Sequence, residues 1–160
     1  MAKIRVGFGY DVHKIQDGLP MTIGGVSVPF ERGWVAHSDG DVLIHAVCDA
    51  LLGAANMRDI GFHFPDNSQE FAGIDSKRLL AQVIDIIASK GYKVSNVDCT
   101  IALQRPKIMP LIPLMAQTMA QVIGIEPDCV SVKATTTEKL GFEGREEGGA
   151  AYAVALIEKE

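Results

Sequence analysis

Asp11-Val12-His13 sets a carboxylate and an imidazole two residues apart, the spacing that puts both side chains on one face of a strand. With His45 they would supply three positions of a tetrahedral zinc site and leave the fourth open. A second cluster, Ala134-Thr135-Thr136-Thr137-Glu138-Lys139-Leu140-Gly141-Phe142, follows the apolar alternation Val130, Val132, Ala134. That pattern is a strand running into a polar loop. Its hydroxyls and N–H groups suit a phosphorylated ligand, and Glu138 is placed to hold a hard cation such as Mg²⁺. The two clusters together point to metal-assisted phosphoryl chemistry.

These residues need elements to carry them. Ile4, Val6, Phe8, Tyr10 and Val12 alternate with Arg5, Gly7, Gly9, Asp11 and His13. This predicts a half-buried strand whose polar face is open to a ligand. Met21 to Val28 reads as a hairpin turning at Gly24-Gly25 and ended by Pro29. Ser38 is a candidate N-cap, with Asp41 in a capping-box position, for a helix carrying Val42, Ile44, Ala46, Val47, Ala50 and Leu51 and ending near Gly53. Residues 56–74 read as one long loop, which in a compact domain is often functional. A second helix starts at Asp75 or Ser76 and closes at Gly91. A strand through Val97, Cys99, Ile101 and Leu103 is broken by Gln104-Arg105-Pro106-Lys107. A third helix runs to Gly124, and the last strands fall at about 129–135 and 150–158. Short strands and three helices in mixed order predict an α+β fold.

Composition narrows the function classes. The 160 residues make one domain by length, residues 1–160, with 48% apolar residues and no low-complexity tract. The net charge of −5, with no basic stripe, argues against nucleic-acid binding. An anionic ligand would then need local cations, namely metal ions, Lys107, Arg145 or helix N-termini. The apolar runs fall far short of the roughly 20 residues that span a bilayer. No secretory signal opens the chain, so no membrane or export role is expected. Cys48, Cys99 and Cys129 are scattered among apolar neighbours and read as buried free thiols, favouring the cytoplasm.

Each candidate has a plainer explanation beside it. Asp-x-His alone is often simple surface polarity. His45, however, has Asp41 and Asp49 four residues to either side on its own helical face. Either can accept its second ring N–H and fix the tautomer. At His37-Ser38-Asp39-Gly40-Asp41, capping explains the residues better than phosphate binding does, since Asp39 and Asp41 would repel a phosphate unless they face away or support the metal. Asp59-Ile60-Gly61 and Phe64-Pro65-Asp66 are turn formers or holders of substrate hydroxyls. His63 has no partner at ligand spacing and reads as structural. The threonine run could reflect β-propensity alone, but its ending in Glu-Lys-Leu-Gly favours a ligand loop.

Taken together, the residues resemble the 2-C-methyl-D-erythritol 2,4-cyclodiphosphate synthases. The pieces carrying the likeness are Gly9-Tyr10-Asp11-Val12-His13, Ile23-Gly24-Gly25, Ala36 to Asp41, Asp59-Ile60-Gly61 with Phe64-Pro65-Asp66, Pro106-Lys107, and Lys133 through Phe142. They occur in family order along the whole chain. The resemblance implies zinc on Asp11, His13 and His45, and a second divalent ion, Mg²⁺ or Mn²⁺, on Glu138 and a substrate diphosphate. It implies that His37 and Thr136 stabilise the transition state. Ser38, Asp59, Ile60, Gly61, Phe64 and Asp66 would surround a methylerythritol phosphate. Leu103, Lys107, Ile108, Met109, Ala134 and Thr135 would wall a cytidine pocket. Phe142 and Arg145 would line a central cavity between subunits that can lodge an isoprenoid diphosphate. The family fold is a mixed β-sheet with helices on one face, assembled as a homotrimer around a central axis with active sites at subunit boundaries. Gly149 stands where a large apolar residue is expected.

The implied reaction cyclises 4-diphosphocytidyl-2-C-methyl-D-erythritol 2-phosphate with release of CMP, a step of the non-mevalonate isoprenoid pathway. Two other functions fit the same residues. One is a zinc-dependent nucleotide hydrolase; the other is a non-enzymatic module that binds an isoprenoid diphosphate or a metal. An intact Asp-x-His pair and Lys107 both weigh against a pure binding protein.

Overall fold

The computed structural model describes residues 3–67 and 69–159. Its twelve principal elements are, in chain order, β1 (Lys3–Asp17), β2 (Thr22–Ile23), β3 (Val26–Ser27), β4 (Arg32–Val35), α1 (Val42–Ala54), α2 (Ile60–His63), α3 (Ser76–Ser89), β5 (Lys93–Ala102), α4 (Ile112–Ile123), β6 (Val130–Thr135), α5 (Gly141–Gly144) and β7 (Gly148–Lys159). Five strands form a mixed sheet in the order β4-β1-β7-β5-β6, and β2 pairs with β3 alone. The β5–β6 pair is parallel and the other pairs of the large sheet are antiparallel. This is a single-domain α+β fold. Among the described residues, no helix is long and apolar enough to cross a membrane.

Helix α1 lies directly on β1 because two glycines leave room for it. A Cβ added at Gly9 would sit 1.9 Å from the Ala46 carbonyl oxygen, and one at Gly7 would sit 1.9 Å from that of Ala50. No side chain larger than hydrogen fits there. Beside β1, the β7 residues Ala151, Ala153 and Ala155 are buried on the same side. The two strands thus offer a floor of very small residues.

The alternation in β1 is as expected, but the face expected to be buried is the open one. Ile4, Val6 and Phe8 are more than 60% exposed, and Tyr10 and Val12 about 40%. Tyr152 and Val154 of β7 extend this apolar surface, and the Tyr10 and Tyr152 rings stand 5.2 Å apart. The Gly7/Gly9 side faces the helix layer instead. Alternation identifies two faces; helix approach decides which one the chain buries.

Other boundaries shift for local reasons. The N-cap of α1 is Asp41, whose carboxylate accepts from the Ile44 N–H; Ser38 lies outside the helix and accepts from the Gly40 N–H. The loop over residues 56–74 contains α2 and a 3₁₀ turn at Gln69–Phe71. Strand β4 was not expected, being a four-residue segment with no run of alternation; pairing with the end of β1 creates it. Helix α3 is capped by Asp75, and α4 ends at the left-handed Gly124. Cys48 and Cys99 are buried free thiols, whereas Cys129 is only half-buried. At Gly149 the expected bulk comes from elsewhere: a Cβ there would meet the Trp34 ring at 2.8 Å and Leu103 at 3.0 Å. Trp34, from the unexpected strand, fills that space.

Candidate metal centre and adjoining cavities

Asp11 and His13 follow Gly7 and Gly9 on the same face of β1. His45 precedes Ala46, the residue seated on Gly9. The glycine floor therefore brings His45 over the Asp-x-His pair. His13 Nε2 lies 2.9 Å from Asp11 Oδ2 and 3.2 Å from His45 Nδ1, and His45 Nδ1 lies 3.1 Å from the same carboxylate oxygen. All three ligand atoms fall within 4.8 Å of one another, so the trio could hold a metal ion. Burial opposes charge on Asp11, but hydrogen bonds from His13 and His45 and their positive charge bring its carboxyl down to about 2. Burial pushes His45 down, while the hydrogen bond and charge of Asp11, with Asp41 and Asp39 behind, raise it overall. Two imidazole nitrogens and one carboxylate oxygen converging on a point fit a borderline divalent cation.

The far side of His45 is not held by Asp41 or Asp49, the two partners expected from helical spacing. Asp41 is wholly buried and accepts from Gly24 N–H at 2.9 Å, Gly25 N–H at 2.6 Å and Ile44 N–H at 3.0 Å. It ties the β2–β3 turn to the start of α1. Burial pushes its carboxyl up to about 6 despite those three donors. Asp49 accepts from the Ile60 N–H at 2.8 Å and anchors α2. Ser76, at the first turn of α3, contacts His45 Nε2 at 2.9 Å, and its hydroxyl donates to Asp39 at 2.5 Å. Ser38 Oγ lies 3.3 Å from the same nitrogen. In the sequence Ser76 marks a helix start, and nothing in local spacing links it to a histidine 31 residues earlier.

A cavity of about 210 Å³ opens over the trio, lined also by His37, Ser38, Ile60, Gly61, Phe64 and Asp66. Asp59 does not line it; its carboxylate caps α2 by accepting the Phe62 N–H. A second cavity, also of about 210 Å³, is lined by Leu103, Lys107, Ile108, Met109, Ala134, Thr135 and Thr136, with Gln104 and Pro106. Beyond it the chain turns through left-handed Glu138 and Lys139, and the exposed Glu138 donates its N–H to Thr136 Oγ1 at 3.3 Å. Phe142 lines a shallow hollow with Val12, His13, Lys14, Glu147 and Gly148; Arg145 is exposed and reaches Glu147 at 3.1 Å. His63 donates its Nε2–H to the Met57 carbonyl oxygen, 2.8 Å away, and takes no part in the trio.

The first two cavities share no lining residue. Sheet register places both at one end of the sheet: His13 faces Gly149 on β7, Ala102 faces Ala150, and Thr135 faces Ala102. Three strand spacings separate the β1 and β6 ends, roughly 14 Å.

The 2-C-methyl-D-erythritol 2,4-cyclodiphosphate synthase of Bacteroides thetaiotaomicron is 59% identical to this chain over 158 residues and covers 99% of both. That of Phocaeicola vulgatus is 62% identical over 157 residues, 98% of both. Among solved structures, the bifunctional IspDF of Campylobacter jejuni superposes with a TM-score of 0.96 at 38% identity over 100% of this chain, which spans 43% of that longer protein. The CDP complex of Plasmodium falciparum IspF superposes with a TM-score of 0.86 at 34% identity, covering 98% of this chain and 97% of that one. The YgbB family matches residues 4–158. A match of that extent makes the chain a member of the YgbB family.

Proposed function

We propose that this enzyme converts 4-diphosphocytidyl-2-C-methyl-D-erythritol 2-phosphate to 2-C-methyl-D-erythritol 2,4-cyclodiphosphate and CMP. The observation that carries the reading is the convergent Asp11, His13 and His45 under a cavity, in a chain about 60% identical to synthases of that name. An oxygen of the 2-phosphate attacks the β-phosphorus as the bond to the CMP phosphate breaks, and the electron pair leaves on CMP. The attacking oxygen is already ionised, so no strong general base is needed. The difficulty is to bring two phosphates together against their repulsion.

Zinc on the trio, and Mg²⁺ or Mn²⁺ on Glu138 and the diphosphate, would neutralise that charge and polarise the phosphorus. The remaining work falls to the chain. His37 and Thr136 donate hydrogen bonds to oxygens that gain charge in the transition state. Ser38, Ile60, Gly61, Phe64 and Asp66 hold the methylerythritol phosphate end, and Asp59 supports them from outside the cavity as the cap of α2. Leu103, Lys107, Ile108, Met109, Ala134 and Thr135 hold the cytidine end, with the Lys107 ammonium as a point charge. Gripping both ends of one bent molecule supplies proximity worth several kcal/mol.

The two grips are separate cavities on one chain, which supports a site completed by a neighbouring copy. Residues 1–160 form one synthase domain, and three copies assemble with the apolar sheet face of β1 toward a common axis. Phe142 and Arg145 then border a central cavity suited to an isoprenoid diphosphate. Two buried free thiols agree with a cytoplasmic enzyme.

The test is a reaction in oxygen-18 water, with products read by phosphorus NMR. Cyclisation places no label in CMP or the cyclic diphosphate. One labelled oxygen per turnover would make the enzyme a hydrolase.

A further inference from the structure

We propose that Asp39 and Ser76 act as a relay that fixes the tautomer and ring orientation of His45, and thereby sets the affinity of the metal centre. The proposal rests on the metal reading of Asp11, His13 and His45.

Hydrogen count settles the direction of each bond. His45 Nδ1 faces Asp11 Oδ2 and His13 Nε2, so a metal shared with them takes its lone pair on Nδ1. The ring proton then belongs on Nε2, where Ser76 Oγ lies 2.9 Å away and accepts it. The serine hydroxyl has one hydrogen of its own, and Asp39 Oδ1 at 2.5 Å receives it. The Ser76 N–H donates to the other oxygen, Asp39 Oδ2, at 2.9 Å, so the carboxylate clamps the serine at two points. Asp39 is itself oriented by the Asp41 N–H at 3.1 Å. With the Nδ1 lone pair given to the metal, every donor in this chain of bonds meets an acceptor.

Helix capping does not account for this serine. The cap of α3 is Asp75, which accepts from Lys77 N–H, and Ser76 is wholly buried with its hydroxyl turned to His45. Ser38 is the longer contact, and its oxygen already accepts from Gly40 N–H. A carboxylate acting through a hydroxyl makes a ligating imidazole more basic and holds its ring in place. Asp39 and Ser76 are therefore positioning residues.

The test measures Co²⁺ and Zn²⁺ affinity of the metal-stripped protein by chelator competition, alongside imidazole ¹⁵N NMR of the zinc-loaded protein. Ser76→Ala and Asp39→Asn should each weaken metal binding about 10- to 100-fold. The double variant should bind no more weakly than the weaker single one, because both changes cut one relay; independent structural defects would add. In the wild type, His45 should carry its proton on Nε2 and the metal on Nδ1. Wild-type affinity in Ser76→Ala, or a proton on Nδ1 in the zinc-loaded wild type, would overturn the relay. The NMR result decides even if a variant fails to fold. His13→Ala keeps the two readings apart: a wild type that binds no Co²⁺ overturns the metal centre and the relay with it. Loss of Co²⁺ in His13→Ala with full affinity in Ser76→Ala overturns the relay alone.

Discussion

On one side of β1, Gly7 and Gly9 let the backbone of α1 settle against the strand, and Asp11, His13 and His45 meet as a result. On the other side, Ile4, Val6 and Phe8 stand largely in the open. The first face is complete within one chain. The second has the composition of a core, and among the described residues these side chains remain exposed. Where small residues lie decides what a helix can approach, and the large apolar residues are left on the opposite, open face.

The largest effect should come from filling the glycine floor. Gly9→Val would drive side-chain atoms into the Ala46 carbonyl, costing about 3 kcal/mol or more. Chemical denaturation and zinc content, measured together, should fall together. A stable variant that keeps its zinc would break the link between helix approach and the metal centre. On the opposite face, Phe8→Asp should leave the chain folded but disperse the assembly to monomers, at a cost of about 2 kcal/mol or more per interface. Light scattering beside circular dichroism distinguishes these outcomes. An unchanged oligomer would show that this face is not the assembly surface.

A smaller effect concerns Asp41, which joins the β2–β3 turn to α1 on the buried side. Its carboxyl, ordinarily near 3.8, is pushed up to about 6 in the fold by burial. Between those values the native chain keeps a proton that the unfolded chain releases. Its contribution to stability is therefore complete below about pH 4 and is lost as the pH rises through 6. Denaturation midpoints from pH 4 to 7 should show this loss in the wild type and a flatter profile in Asp41→Asn. Parallel profiles would remove Asp41 as the source. Smallest of all, Gly149→Ala should cost about 1 kcal/mol and change Trp34 fluorescence, since the new methyl meets that ring.

Much of the frame was legible because local chemistry dictates it. Asp75 and Gly124 mark the start of α3 and the end of α4 whatever surrounds them. Asp11 and His13 share a face by the pleat of the strand alone. The identity of the buried face of β1 was not legible, since alternation is symmetric until a helix chooses a side. The partner of His45 was missed for a related reason. Helical spacing nominated Asp41 and Asp49, but both carboxylates are committed to backbone N–H groups. The true contact comes from Ser76, across the fold. Strand β4 arises only through pairing with β1, and through it Trp34 reaches the space beside Gly149.

Co-assembly of His13→Ala with Lys107→Glu asks whether one chain's metal centre works with another chain's nucleotide pocket, as proposed. Each variant alone should be inactive, because one lacks a metal ligand and the other presents a like charge to the diphosphate. In mixed trimers of equal parts, a site shared between chains is intact wherever the metal half comes from Lys107→Glu and the pocket half from His13→Ala. Random assortment then restores roughly one quarter of wild-type activity. No recovery in the mixture would rule out a shared site and place both halves on a single chain.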